Sequence, residues 1–224
     1  MLSLVVAAIG YGERQLLTDV RIGLVPGEVI GLVAPNGWGK TTLLQVLNGN
    51  VKLLGAGRLL LDGDILPGTA DYARSVYLAP CDDSSLYPHL SVRFHLEATR
   101  ELWGSSVDID ETVNRLQISP FLDKEISKLS QGMKRQVSLA LAITSGARYV
   151  LLDEPVNALD PLRAENAGNC IRMLADEGAS VLLSSHLPEE LDRICDGFLF
   201  IKDKKIITMP NSTSCRKLFH DFYG

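Results

Sequence analysis

Hydrophobic positions along the chain follow two rhythms. Val29-Ile30-Gly31-Leu32-Val33, Tyr149-Val150-Leu151-Leu152 and Ser180-Val181-Leu182-Leu183 are almost continuously apolar, as strands covered on both faces of a parallel sheet must be. The opening MLSLVVAAIGYGERQ adds a first strand ending at Gly10, and Ser75-Val76-Tyr77-Leu78 another, while Lys40 to Leu47 has a helical pattern. The middle third differs. Ser91 precedes an amphipathic run to Leu102, Asp108 begins another to Gln117, and Gly132 to Ile143 makes a third. The pattern predicts an α/β chain with a helical subdomain over residues 84–145, set between core segments 1–83 and 146–224. The tail after Met209 is too short for a further domain, and there is no internal repeat.

Composition narrows this picture. With 224 residues, 46% of them apolar, the chain can bury one sizeable core. Its net charge of −5, without a Lys/Arg block, argues against a nucleic-acid partner. Cys81, Cys170, Cys195 and Cys215 have neither C-x-x-C pairing nor metal-ligand spacing, so reduced thiols in a cytoplasmic protein are expected. No basic region precedes the first apolar run, which therefore reads as a strand and not a signal peptide. No run of about 18 apolar residues offers a bilayer-spanning helix, so membrane work would need spans from another chain.

The candidate chemistry centres on Ala34-Pro35-Asn36-Gly37-Trp38-Gly39-Lys40-Thr41-Thr42, one residue short of the phosphate-binding pattern G-x-x-x-x-G-K-[ST] because alanine replaces the first glycine. A strand before and a helix after are the context that the pattern requires. Gly37 and Gly39 let backbone amides approach a phosphate, and the helix adds its N-terminal N–H groups. Lys40 supplies a cation for the β- and γ-phosphates, and Thr41 a hydroxyl for Mg²⁺. The first glycine is the least demanding position, provided Ala34 can hold the backbone angles there. Downstream, the strand at Tyr149 ends in Asp153-Glu154-Pro155, which puts Asp153 near the metal's water shell and leaves Glu154 to orient an attacking water.

In this company other segments gain meaning. Leu129-Ser130-Gln131-Gly132-Met133 resembles the signature LSGGQ of ATP-binding cassette (ABC) transporters, in the LSxGM variant of exporter-type cassettes. Asn157-Ala158-Leu159-Asp160 resembles their D-loop, Ser185-His186 their switch histidine, and Tyr11 the aromatic that stacks on adenine. The resemblance covers nearly the whole chain in the expected order. It implies a P-loop NTPase core with a mixed sheet, an inserted α-helical subdomain and an N-terminal antiparallel β portion. It also implies ATP and Mg²⁺ as cofactors, and a head-to-tail dimer in which Ser130, Gln131 and Gly132 face the γ-phosphate held by the partner. Glu154, His186 and Lys40 would carry hydrolysis, and Thr41 and Asp153 the metal. The nucleotide would lie along residues 34–42, from Tyr11 to Asp160. The partners implied are an integral-membrane transporter subunit and a second copy or paralogue, with the chain peripheral on the inner face of the cell membrane. The export preference rests on LSxGM, and is an analogy.

Two positions depart from the family pattern. The family usually carries a glutamine after a strand such as Ser75–Leu78, but no glutamine stands between Gln45 and Gln117. Asp82 and Asp83 are candidates to offer a hard oxygen in its place, and spacing does not decide whether either does. Trp38 is bulky for a loop that needs only its amide, so its side chain is expected to point outward. A non-transport cassette, or a regulatory module that binds ATP with little turnover, remains the competing function. The short spacing from Lys40 to Asp153 excludes cassettes that contain long coiled coils.

Overall fold

The computed structural model describes every residue except Glu13 and Lys52. The chain folds as two sheets with helices between and outside them. Strands β1 (Leu2–Tyr11), β2 (Arg14–Leu24) and β4 (Leu54–Leu61) form an antiparallel sheet in the order β2-β1-β4. Strands β3 (Val29–Val33), β5 (Val76–Ala79), β6 (Tyr149–Asp153), β7 (Ser180–Ser185), β8 (Gly197–Lys202) and β9 (Lys205–Pro210) form a second sheet in the order β5-β6-β7-β3-β8-β9. Only the edge pair β8/β9 is antiparallel, so this sheet is mixed, as expected.

The continuous apolar runs have a direct physical cause. On β6, Val150 and Leu152 face one core while Tyr149 and Leu151 face the other. On β8, Phe198 and Phe200 join the first core, and Leu199 and Ile201 the second. Both faces exclude water, so period-two alternation places side chains in different cores and never demands a polar residue. The second core also receives the antiparallel sheet and helix α1 (Lys40–Leu47). Helix α2 (Ala70–Ser75), absent from the sequence expectation, takes Ser75 and starts the next strand at Val76. Its cap is Thr69, whose hydroxyl accepts from the Tyr72 amide at 3.2 Å.

Between β5 and β6 lie α3 (Val92–Trp103), α4 (Ile109–Arg115) and α5 (Gln131–Thr144), with two short 3₁₀ turns at Ser119–Phe121 and Ile126–Lys128. Local chemistry sets the helix starts. Ser91 accepts from Phe94 N, Asp108 from Asp110 N and Glu111 N, and Ser130 from Met133 N. The remaining helices are α6 (Pro161–Asp176), α7 (Pro188–Ile194) and α8 (Cys215–Tyr223). No helix of the described residues is long and apolar enough to cross a membrane.

Topology positions the chemistry. Strands β6, β7 and β3 are neighbours in parallel register, with Asp153 opposite Ser184 and Val33 opposite Ser185. The acid pair, His186 and the loop of residues 34–39 therefore all emerge at the carboxyl ends of three adjacent strands, where open α/β sheets place their ligand crevice.

Candidate nucleotide site

The loop turns through left-handed backbone at Gly37 (φ 81°) and Gly39 (φ 102°), where a Cβ would be strained. Ala34 is not among the residues with positive φ and is buried at the end of β3, so this position places no demand for glycine. Gly39 begins α1, and no side chain caps that helix. Its first amides are thus available to an anion. The Lys40 ammonium lies 2.8 Å from the Ala34 carbonyl, 3.4 Å from Asn36 Oδ1 and 3.9 Å from Glu154 Oε1. Burial pulls its pKa below the ordinary lysine value, and the Glu154 and Asp153 carboxylates oppose that shift.

Asp153 is 3% exposed and fully engaged: Oδ2 accepts from the Thr41 hydroxyl at 2.7 Å, and Oδ1 from Ser184 Oγ at 2.6 Å. Ser184 Oγ in turn accepts from the Glu154 amide at 3.0 Å, so one hydroxyl fixes both members of the acid pair. Glu154 sits at φ 53°, a conformation that non-glycine residues rarely hold without support from their surroundings. Its Oε2 meets His186 Nδ1 at 2.7 Å. Ser184 was not among the sequence candidates. A hydroxyl near the end of an apolar strand was the available signal.

The site offers Mg²⁺ a hydroxyl and a carboxylate side by side. No three or more acidic, His or Cys side chains are grouped for a metal among the described residues. A closed cage is unnecessary for this ion, which keeps water and phosphate oxygens and takes only one or two protein ligands, so Thr41 and Asp153 fit it.

Asp82 and Asp83, the candidates for the missing glutamine's place, each use one carboxylate oxygen elsewhere. Asp82 Oδ1 accepts from the amide and hydroxyl of Ser84. Asp83 Oδ2 is paired with Lys134 Nζ at 2.7 Å. Neither carboxylate lines the cleft, and Cys81 does, beside Thr41, Asp153 and Glu154. Burial, and after it the Asp153 charge and hydrogen bond, push the Cys81 thiol up to about 11.

The cleft, about 280 Å³, collects Asn36, Gly37, Gly39, Lys40, Thr41, Thr42, Asp153 and Glu154. Pro35 lies in the same loop, half-buried, and the Trp38 side chain points out of it to meet Tyr223. Other expected positions lie apart from this cleft. Tyr11 stands 56% exposed at the end of β1. Ser130, Gln131 and Gly132 form the start of α5, with Ser130 and Gln131 exposed, and Asp160 caps α6 by accepting from Arg163 N at 3.0 Å. Gly132 is required by close approach, since a Cβ there would stand 2.8 Å from the Ala158 carbonyl.

Comparison with known proteins agrees with this arrangement. The family model "ABC transporter" matches residues 17–157. An uncharacterised ABC transporter ATP-binding protein, YdbJ of Bacillus subtilis (strain 168), is 30% identical over 87% of this chain and 64% of its own length. Nod factor export ATP-binding protein I of Paraburkholderia xenovorans (strain LB400) is 33% identical over 88% of this chain and 66% of its own. The chain therefore spans just under two-thirds of the length of these two relatives. The lantibiotic transport ATP-binding protein SrtF of Streptococcus pyogenes is 27% identical over 88% of this chain and 85% of its own. A solved structure described as the ATP binding subunit of an ABC transporter superposes with a TM-score of 0.88 over 100% of both chains, at 22% identity, which supports the fold. A fold of this class, a phosphate loop and an acid pair at the carboxyl ends of β3 and β6 on either side of β7, and the family match agree: the chain belongs to the ABC transporter family of ATP-binding proteins.

Proposed function

We propose that this chain hydrolyses MgATP to power an export transporter, pairing head to tail with a second copy or a paralogue and driving a separate membrane-spanning subunit from the inner face of the membrane. The single observation that carries the reading is the convergence of Lys40, Glu154 and His186 on one point, next to the Thr41–Asp153 pair. The relative named for Nod factor export supports the export direction, and the one named for lantibiotic transport supports a transport role.

Each residue has a part. Loop amides and Lys40 hold the phosphates, and Thr41 with Asp153 would hold Mg²⁺, which neutralises charge developing on the phosphoryl oxygens. Glu154 orients the attacking water and accepts its proton, while Ser184 holds its backbone amide and His186 its carboxylate. With Nδ1 turned to Glu154, His186 has Nε2 left for the γ-phosphate. The start of α5, with Ser130 as its cap and Gln131 exposed, is an anion-seeking helix end outside this chain's own cleft. Facing a partner's nucleotide is the use that such a placement allows. ATP-driven closure would then move α3 to α5 and whatever is docked on them.

Hydrolysis measured across protein concentration tests this, with Glu154→Gln alongside. Activity should rise faster than linearly, and the variant should bind ATP yet lose on the order of 100-fold or more in turnover. Wild-type turnover in Glu154→Gln would overturn the assignment of the base. Tight ATP binding without turnover at any concentration would favour the second reading, a regulatory ATP-binding module. Cys81, in the cleft where an oxygen donor was expected, is the observation behind that reading.

A further inference from the structure

Helix α8 carries an aromatic cluster whose last member reaches the phosphate loop. Tyr223 packs edge-on against Trp38 with ring centroids 5.4 Å apart and an interplanar angle of 78°. Its hydroxyl lies 2.5 Å from the Ile201 carbonyl and 3.3 Å from the Val33 carbonyl. Val33 is the last residue of β3, directly before the loop, and Trp38 is two residues before α1. One side chain thus touches the strand that enters the loop and the loop near its exit. The helix behind it is well held. Phe219 packs on Tyr223 at 4.9 Å, Phe222 on Phe200 at 4.9 Å, and the Ser214 hydroxyl bonds to Asp192 at 2.9 Å. Asp192 belongs to α7, which starts two residues after His186.

We propose that Tyr223 is a positioning residue for nucleotide binding: it braces the phosphate loop from outside, through Trp38 and the Val33 carbonyl, and holds the amides of residues 37–40 in their phosphate-facing arrangement. The physical case rests on cost. A loop with left-handed turns at Gly37 and Gly39 has more accessible conformations than one built from other residues, and ordering it on binding weakens affinity. An edge-on aromatic contact at Trp38, in a loop whose chemistry needs only the backbone there, removes part of that freedom beforehand. The contact also links the loop through α8 and α7 to the segment after His186. This inference rests on the nucleotide-site reading above.

The experiment uses the full chain in a Trp103→Phe background, where Trp38 is the one tryptophan left. Tyr223→Leu removes ring and hydroxyl, Tyr223→Phe keeps the ring, and Trp38→Ala removes the other half of the contact. Without nucleotide, Tyr223→Leu should red-shift the Trp38 emission and lower its anisotropy, with Tyr223→Phe restoring both. ATP affinity by calorimetry should fall about tenfold in Tyr223→Leu and stay within about threefold in Tyr223→Phe, each tenfold being about 1.4 kcal/mol. Combining Tyr223→Leu with Trp38→Ala should cost no more than the larger single loss, because both act through one contact. Unchanged emission and affinity in Tyr223→Leu would overturn the brace, as would full additivity with Trp38→Ala. Should Tyr223→Leu fail to fold, a Tyr223→Phe emission matching that of free tryptophan overturns it as well. A parent protein that does not bind ATP while Tyr223→Leu still shifts the emission would instead strike the nucleotide-site reading and leave the brace standing.

Discussion

At the scale of single residues, the site depends on few side chains doing two things each. Asp153 holds both Thr41 and Ser184, and Ser184 holds both Asp153 and the Glu154 amide. Residue type and spacing singled out Lys40, Thr41, Asp153 and Glu154, the family resemblance added His186, and the fold brings all five together. Type and spacing were not enough to decide between Asp82 and Asp83, and gave no hint of Cys81, because this turn is held by two long-range partners, Lys134 and Arg135. Lys134 pairs with Asp83 Oδ2, and Arg135 donates to the Pro80 and Cys81 carbonyls, which fixes the turn that carries Cys81 at the cleft. The consequence for Cys81 is measurable. Its raised pKa leaves less thiolate at pH 8 than an ordinary cysteine of pKa near 8.5 would have, and the thiolate is the nucleophile. Although exposed, Cys81 should therefore be alkylated slowly by iodoacetamide, at a rate still climbing toward pH 11. Half-maximal reactivity near pH 8.5, followed by peptide mass mapping, would contradict the placement beside Asp153.

At the scale of elements, the helix caps and buried strands were legible because local chemistry decides them. Ser91 and Asp108, where the sequence starts two helical runs, cap α3 and α4 in the structure, and β3, β6 and β7 appear as apolar runs because each is sealed on both faces. Helix α2 was not legible: six residues carry too few turns to show a period, and its position is set by Tyr72, whose hydroxyl donates to the Leu47 carbonyl at 2.5 Å. The start of α5 illustrates how an element becomes specific beyond its pattern. Glycine at 132 reads from sequence as a motif residue, whereas the structure gives the reason, the Ala158 carbonyl pressed against its Cα. Ala158 holds φ 66°, so this backbone has little room to retreat. Gly132→Ala should cost about 1–3 kcal/mol by overpacking and shift the urea midpoint accordingly. Wild-type stability in that variant would mean that the 157–160 loop yields freely, and the close packing of the signature helix against it would lose its significance.

At the scale of the whole molecule, the question is how firmly the helical segment is tied to the sheet it would move against. One tie gathers at the end of α4. Arg115 pairs with Glu177 at 2.8 Å and with Glu111 at 2.5 Å, and its carbonyl accepts from Asn166 Nδ2 of α6 at 2.9 Å. The two kinds of contact differ in strength. Glu111 and Glu177 are more than half exposed, so their ion pairs contribute about 0–1 kcal/mol. The Asn166 bond is part-buried, and losing it leaves the Arg115 carbonyl only the weak Cys170 thiol donor at 3.9 Å, at about 1–3 kcal/mol. Asn166→Ala should therefore lower the unfolding midpoint more than Glu177→Ala does, with the denaturant slope unchanged. Because the bond lies between two elements, the loss should also show locally. Hydrogen exchange should accelerate in α4 while β6 and β7, sealed on both faces, keep their protection. Equal acceleration in α4 and the central strands would mean that the helical segment and the sheet open as one unit. A closure that moves the helices as a separate body would then have to be abandoned.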